Sequence, residues 1–226
     1  MKKTFDVLSA IFNFAIFALF VYALLGHYFF FTGSSNTQVS SEMLAHWGDR
    51  MRPGLYMYFT TDSNLIAALF SLILGVFKIR SIRTGTPVPT AAYILKFIGT
   101  CAVTLTLLTV VLFLTPVFGS QGMYDNSNFF WHLLCPILSI LSFVLFDGGN
   151  IKWRFALLGA VPTVIYGVFY LVFVVALDIM VDFYGFNYGG NWAYSTVGML
   201  AGSIIICYVL LLIQKALKRI LFKNLT

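Results

Sequence analysis

The chain has 226 residues, of which 60% are hydrophobic and 10% are charged, and its mean hydropathy is +0.90. Soluble domains carry roughly a quarter charged residues, so this composition excludes a soluble globular protein. Runs of about 20 apolar residues cross the hydrocarbon core of a bilayer as helices. The sequence predicts six, at about 5–31, 54–78, 91–118, 127–147, 155–181 and 193–216. We therefore expect an all-α polytopic membrane protein with a single six-helix transmembrane domain, residues 1–226.

The basic residues indicate how these helices are oriented. They are concentrated at alternate ends of the predicted spans, at Lys2, Lys3, Lys78, Arg80, Arg83, Lys152, Arg154, Lys215, Lys218, Arg219 and Lys223. With six helices all of these positions lie on one side, which the positive-inside rule assigns to the cytoplasm. Both termini are therefore predicted to be cytoplasmic. The net charge of +6 follows from this topology and indicates no nucleic-acid partner.

Five consecutive polar residues, TTDSN (60–64), lie within the second predicted helix. If that helix enters from the outer side near Gly54, Thr60 lies roughly 9 Å along it, at about 1.5 Å per residue. His132 lies at a similar depth in the fourth helix, which enters near Ser127. An ionisable residue inside a membrane is by default a functional hypothesis. We therefore expect Thr60 and His132 to share a level of the outer leaflet.

A hydroxyl and an imidazole at one level indicate a specific chemistry. A threonine hydroxyl becomes a nucleophile when a base takes its proton, and a neutral imidazole does this near pH 7. The hypothesis is that Thr60 attacks an acyl carbonyl, with His132 as general base and then general acid. Asn64, on the same helix face as Thr60, either donates to the developing oxyanion or holds a neighbouring helix. Asp178 either orients the imidazole, as in a catalytic triad, or faces water.

Two motifs carry a resemblance to a known family: YFTTDSNL (58–65), and HLLCP (132–136) with the following ILSILSFVLFD. Together they resemble the androgen-induced-gene and androgen-dependent TFPI-regulating family of multipass membrane proteins, in particular its six-helix bacterial relatives. Family members in animals are threonine hydrolases that cleave fatty acid esters of hydroxy fatty acids. The resemblance implies that Thr60 is the nucleophile and His132 the essential histidine. Because the threonine doublet leaves the register open, Thr61 is an alternative nucleophile.

The resemblance also implies a location and a substrate class. It implies a multi-pass protein of the bacterial cytoplasmic membrane that acts on a membrane lipid or fatty-acyl ester. No metal or cofactor is expected, because His132 and three cysteines without metal-ligand spacing do not supply the usual ligands; Cys101, Cys135 and Cys207 are expected to be packing residues. The alternative function is a non-catalytic lipid-binding scaffold or a small-molecule transporter. The sequence leaves the oligomeric state open.

Three further expectations concern single segments. Lys96 lies near the cytoplasmic end of the third predicted helix, from which its side chain is expected to snorkel to the lipid head groups. Tyr166 and Tyr170 are either packing residues or hydroxyl donors to a lipid head group. The stretch SSEMLAHWGDRM in the loop 32–53 has apolar residues at helical spacing, so it predicts a short interfacial helix.

Overall fold

The computed structural model describes residues 2–31, 54–120, 122–147 and 149–222. Within them, six helices are long and apolar enough to cross a membrane, which confirms the predicted all-α membrane fold. They are α1 (Lys3–Phe30), α2 (Phe59–Thr84), α3 (Thr90–Val117), α4 (Phe129–Phe146), α5 (Trp153–Ala176) and α6 (Trp192–Ile220). The chain is therefore an integral multi-pass membrane protein. The interfacial helix predicted within 32–53 lies outside the described residues.

Helix α3 is the central helix of the bundle. It packs against α2 and α4 on one side and against α5 and α6 on the other, while α1 packs on α2 and α4. Backbones approach most closely where α2 crosses α3: a Cβ added to Gly99 would lie 2.7 Å from Ala67 Cα. Cys101 and Cys207 meet near Gly159 in the core between α3, α5 and α6, where both are buried and free. These two cysteines are packing residues, as the sequence predicts.

Helix α2 begins at Phe59 rather than near Gly54, so the predicted depth of Thr60 along the helix is wrong. Gly54 and Tyr58 are extended, and the single 3-10 turn Leu55–Met57 lies between them. Hydropathy does not separate this turn from the helix, because its residues are as apolar as those of a span. The TTDSN residues therefore form the start of α2, where the first amide groups lack intrahelical partners, and Thr60 is the second residue of the helix.

Three spans change their helical geometry beside a proline. In α3, α4 and α5 the altered segments are Val110–Leu114 (π), Phe130–Leu134 (π) and Trp153–Ala160 (3-10). Proline has no amide hydrogen to donate, so the backbone hydrogen bonds change beside it. Other π segments have no proline beside them, namely Gly26–Phe30, Ser142–Phe146 and Leu171–Ala176. The π turn of α4 contains His132 and precedes Pro136. It therefore changes the direction in which His132 projects relative to the residues that follow.

The expectation that Lys96 snorkels to the lipid head groups is wrong. Its side chain is fully buried, and its ammonium donates hydrogen bonds to the hydroxyls of Ser71 at 2.9 Å and Ser139 at 3.2 Å. Because α3 is surrounded by other helices, Lys96 faces α2 and α4 rather than lipid. A second buried polar group that interacts with Lys96 directly follows α4: the Asp147 carboxylate, which accepts a 2.8 Å hydrogen bond from Asn13.

Candidate functional site

A cavity of about 190 Å³ lies at the end of the bundle where α2 and α6 begin and α3 and α5 end. Thr60 lines it, and we call it the Thr60 cavity. Most of its other lining side chains are apolar, among them Leu105, Val110, Leu114, Leu171 and Met199. Hydroxyl groups interrupt this surface at Thr106, Thr109, Thr163, Ser195 and Thr196. An apolar space with a few polar groups is the usual character of a small-molecule site.

Tyr184, in the connection between α5 and α6, is a polar neighbour of Thr60 that sequence reasoning missed. Its hydroxyl interacts with the side chain of Thr60 and with the backbone of Thr60 and Phe59. The first amide groups of a helix have no intrahelical acceptor, so a phenol oxygen is a suitable partner for them. Burial raises the pKa of Tyr184 to about 12. The phenol is therefore protonated at neutral pH and has a hydrogen to donate into the cavity.

Asp182 holds the connection that carries Tyr184. Its carboxylate accepts hydrogen bonds from the Tyr170 hydroxyl at 2.8 Å and from the backbone amides of Phe186 at 3.1 Å and Asn187 at 2.7 Å. Tyr166 contributes to the same region, because its hydroxyl donates to the backbone carbonyl of Met57 at 3.0 Å. Both tyrosines of α5 therefore use their hydroxyls to fix neighbouring backbone, while their rings pack in the core.

His132 is buried in the π turn of α4, and its Nδ1 lies 2.5 Å from the backbone carbonyl oxygen of Met123. A carbonyl oxygen only accepts hydrogen bonds, so in the neutral ring Nδ1 carries the hydrogen and Nε2 carries the lone pair. This tautomer is the one that a general base requires. The carbonyl of Met123 therefore fixes the orientation and the tautomer of the imidazole.

Asn64 connects the segments that carry Thr60 and His132. Its side-chain amide donates to the backbone carbonyl of Thr60 at 2.8 Å and to that of Trp131 at 2.9 Å. Of the two roles open to Asn64, the structure shows that of holding a neighbouring helix. Within residues 54–120 and 122–147 no hydrogen bond joins Thr60 to His132, and His132 does not line the Thr60 cavity.

The two residues joined by this hydrogen bond each have a second buried polar atom. Asn64 Oδ1 and the indole Nε1 of Trp131 have no hydrogen-bond partner among the described residues. Most buried polar groups in proteins are paired, so an unpaired acceptor and an unpaired donor on two such residues are unusual. They lie beside the residue pair that the sequence singles out, since Asn64 is one turn from Thr60 and Trp131 precedes His132.

The other candidate residues lie away from the cavity. Thr61 is buried, but it does not line the Thr60 cavity. Asp178 is exposed just after α5, with a positive φ of 51°, and the His132 Nδ1 is held by Met123 instead. In the part of the chain that the structure describes, no group of three or more metal-ligating side chains is present.

The described residues define an integral membrane protein with six helices that are long and apolar enough to span a membrane, and with a largely apolar cavity at one end of the helix bundle. The chain matches no family model, and it has no detectable similarity to a curated protein or to a solved structure.

Proposed function

We propose that the protein is an integral membrane hydrolase that cleaves a fatty-acyl ester, with Thr60 as nucleophile and His132 as general base. The observation that carries the proposal is the position of Thr60, which lines a largely apolar cavity within the membrane domain. The resemblance of the two sequence motifs to threonine hydrolases supports the same pair. With both termini on the cytoplasmic side, as the basic residues indicate, the site faces the outer leaflet.

The reaction has two steps. His132 Nε2 takes the proton of the Thr60 hydroxyl as its oxygen attacks the acyl carbonyl, and the proton then passes to the departing alcohol, which leaves an acyl-threonine. Water, deprotonated by the same imidazole, attacks this ester, releases the fatty acid and restores Thr60. The protonated phenol of Tyr184 is placed to donate to the oxyanion that develops in each step.

This mechanism requires the imidazole and the Thr60 hydroxyl to come within hydrogen-bond distance when substrate is bound. Catalytic hydrogen bonds are often long in substrate-free enzymes and shorten in the Michaelis complex. The link through Asn64 keeps the two segments adjacent, because it ties the first turn of α2 to the residue before His132.

A second candidate function is non-catalytic lipid binding. It is favoured by one observation: within the described residues His132 neither lines the Thr60 cavity nor hydrogen-bonds Thr60. In this case the cavity binds an acyl chain without cleaving it, and the Thr60 and Tyr184 hydroxyls hold its polar end. Nothing comparable favours a small-molecule transporter.

A fluorophosphonate probe distinguishes these functions. The purified wild-type protein is expected to react covalently, with the adduct on Thr60, and Thr60→Ala and His132→Ala are each expected to abolish labelling. Thr61→Ala tests the alternative nucleophile, and Thr163→Ala is the matched control because Thr163 also lines the cavity. Both are expected to retain labelling. A folded wild-type protein that binds fatty acid, yet reacts with neither the probe nor a series of acyl esters, would favour the non-catalytic function.

A further inference from the structure

The Thr60 cavity extends to the outer surface of the bundle between α5 and α6. Val164 and Val168 of α5 and Leu200 of α6 line the cavity, and yet their side chains are 48%, 57% and 37% exposed. These positions lie within membrane-spanning helices, so the exposed surface faces acyl chains of the bilayer rather than water. The cavity is therefore accessible from within the membrane.

The gap between α5 and α6 lies at the level of Gly167; one turn away the two helices are in contact, through a 3.0 Å hydrogen bond between the hydroxyls of Thr163 and Ser203. Gly167 lines the cavity on α5, and a Cβ added there would meet no atom within 4 Å. Gly99 has the opposite surroundings: α2 and α3 lie so close together there that an added Cβ would be 2.7 Å from the Ala67 Cα. Gly167 therefore does not serve close helix packing, and its small size leaves the gap open.

The size of the cavity indicates what enters through this gap. Sites that enclose a whole drug-sized ligand have volumes of roughly 300–1,000 Å³, whereas the Thr60 cavity has about 190 Å³. A lipid bound here is enclosed only in part, and the remainder of the molecule has to lie outside the cavity. Because the cavity opens toward the bilayer, an apolar remainder can stay in hydrocarbon and need not be exposed to water, which would cost free energy.

We propose that the gap between α5 and α6 is a lateral portal through which one acyl chain enters from the bilayer, with its polar end toward Thr60 and Tyr184. The proposal rests on the proposed function only in taking the Thr60 cavity as an acyl site, and it holds equally if the bound chain is not cleaved. Gly167 determines access, because any larger side chain at this position projects into the opening.

A photoactivatable fatty acid methyl ester with a diazirine on its chain tests the portal in the protein reconstituted into phospholipid nanodiscs. Irradiation followed by peptide mapping is expected to place adducts on the cavity-lining positions of α5 and α6, namely Val164, Val168, Met199 and Leu200. Gly167→Phe is expected to reduce these adducts by tenfold or more. Gly198→Phe is the matched control, because Gly198 is exposed on α6, does not line the cavity and has open space around it. It is expected to leave labelling unchanged.

Leu200→Trp narrows the portal from the other helix and is expected to reduce labelling as well, which keeps the test valid if Gly167→Phe does not fold.

Thr60→Ala separates this inference from the hydrolase proposal: it is expected to abolish ester cleavage and to leave cavity labelling intact. Labelling that is equal in wild type and Gly167→Phe would overturn the portal. So would cross-links between two copies of the chain through α5 and α6, because the gap would then be an oligomer interface.

Discussion

The side-chain amide of Asn64 donates a 2.9 Å hydrogen bond to the backbone carbonyl of Trp131, which joins the start of α2 to the π turn of α4. The same nitrogen donates to the carbonyl of Thr60 at 2.8 Å. Both acceptors are backbone groups, so the bonds fix the relative position of two main-chain segments. Asn64 therefore determines how Thr60 is placed relative to the residue that precedes His132.

Asn64→Leu is expected to lower both stability and activity. The substitution leaves the buried carbonyl of Trp131 without this donor, which costs about 1–3 kcal/mol in the free energy of unfolding. Gln214→Leu is the matched control, because Gln214 is also a buried amide that donates to a carbonyl of α4, that of Phe143 at 3.3 Å. Thermal unfolding is expected to show destabilisation in both variants, whereas fluorophosphonate labelling is expected to fall only in Asn64→Leu. Equal labelling in the two variants would contradict the positioning role.

The sequence predicts the six helices because each helix that spans a bilayer needs a long apolar segment, and such segments are evident from the hydropathy of the sequence. It does not predict where α2 begins, since Leu55–Met57 is apolar and yet forms a separate turn. The position of Lys96 is missed for a related reason. Its distance along α3 is evident from the sequence, but which face of α3 meets α2 and α4 depends on packing between helices that are distant in the chain.

The sequence predicts only some residues of the candidate site, because the others are brought there by contacts between segments that are distant in the chain. Thr60 and Asn64 belong to one local motif, and their common face follows from helical spacing. Tyr184 belongs to a loop whose course depends on the hydrogen bonds of Asp182 with Tyr170, Phe186 and Asn187. The segment is rich in aromatic residues, as is typical of the membrane–water interface. No sequence pattern therefore distinguishes Tyr184 from the aromatic residues beside it.

Gly99→Ala is expected to destabilise the crossing of α2 and α3. The new Cβ would lie 2.7 Å from Ala67 Cα, and backbone has to move to relieve this contact. Overpacking of this kind costs about 1–3 kcal/mol. Gly75→Ala is the control: its Cβ would approach the movable ring of Phe14 at 3.2 Å, and alanine favours the helix by about 1 kcal/mol over glycine. Thermal unfolding in detergent is expected to show a lower midpoint for Gly99→Ala alone, and a lower midpoint in both variants would contradict this explanation.

Lys96→Met is expected to raise stability. The ammonium is fully buried and is solvated by two serine hydroxyls, Ser71 and Ser139, without a carboxylate at salt-bridge distance among the described residues. Burying a charge that has no ion-pair partner costs free energy, and methionine has a similar volume but no charge. The Ser139 hydroxyl keeps a partner in Thr100 at 2.9 Å.

Lys78→Met is the matched comparison for Lys96→Met and is expected to have the opposite effect. The Lys78 ammonium contacts the Asp6 carboxylate at 2.6 Å, so its loss leaves a partly buried negative charge unpaired. Unfolding midpoints of both variants, measured in the same detergent, are expected to lie on opposite sides of the wild-type value. A lower midpoint for Lys96→Met would show that the buried ammonium stabilises the bundle.

Tyr184 is expected to make stability depend on pH in the alkaline range. Burial raises the pKa of its phenol from 10.0 to about 12, so between these values the unfolded chain loses the proton while the folded protein retains it. The stabilisation is therefore fully present below pH 10 and is lost as the pH rises toward 12, by about 3 kcal/mol in all at 1.4 kcal/mol per unit. Tyr184→Phe is expected to show a shallower fall in the free energy of unfolding over this range, measured by denaturant titration at successive pH values. Tyr194→Phe is the control, because it removes the hydroxyl of a residue that is 82% exposed, and it is expected to follow the wild-type profile. Parallel profiles for wild type and Tyr184→Phe would show that the Tyr184 phenol is not buried from water.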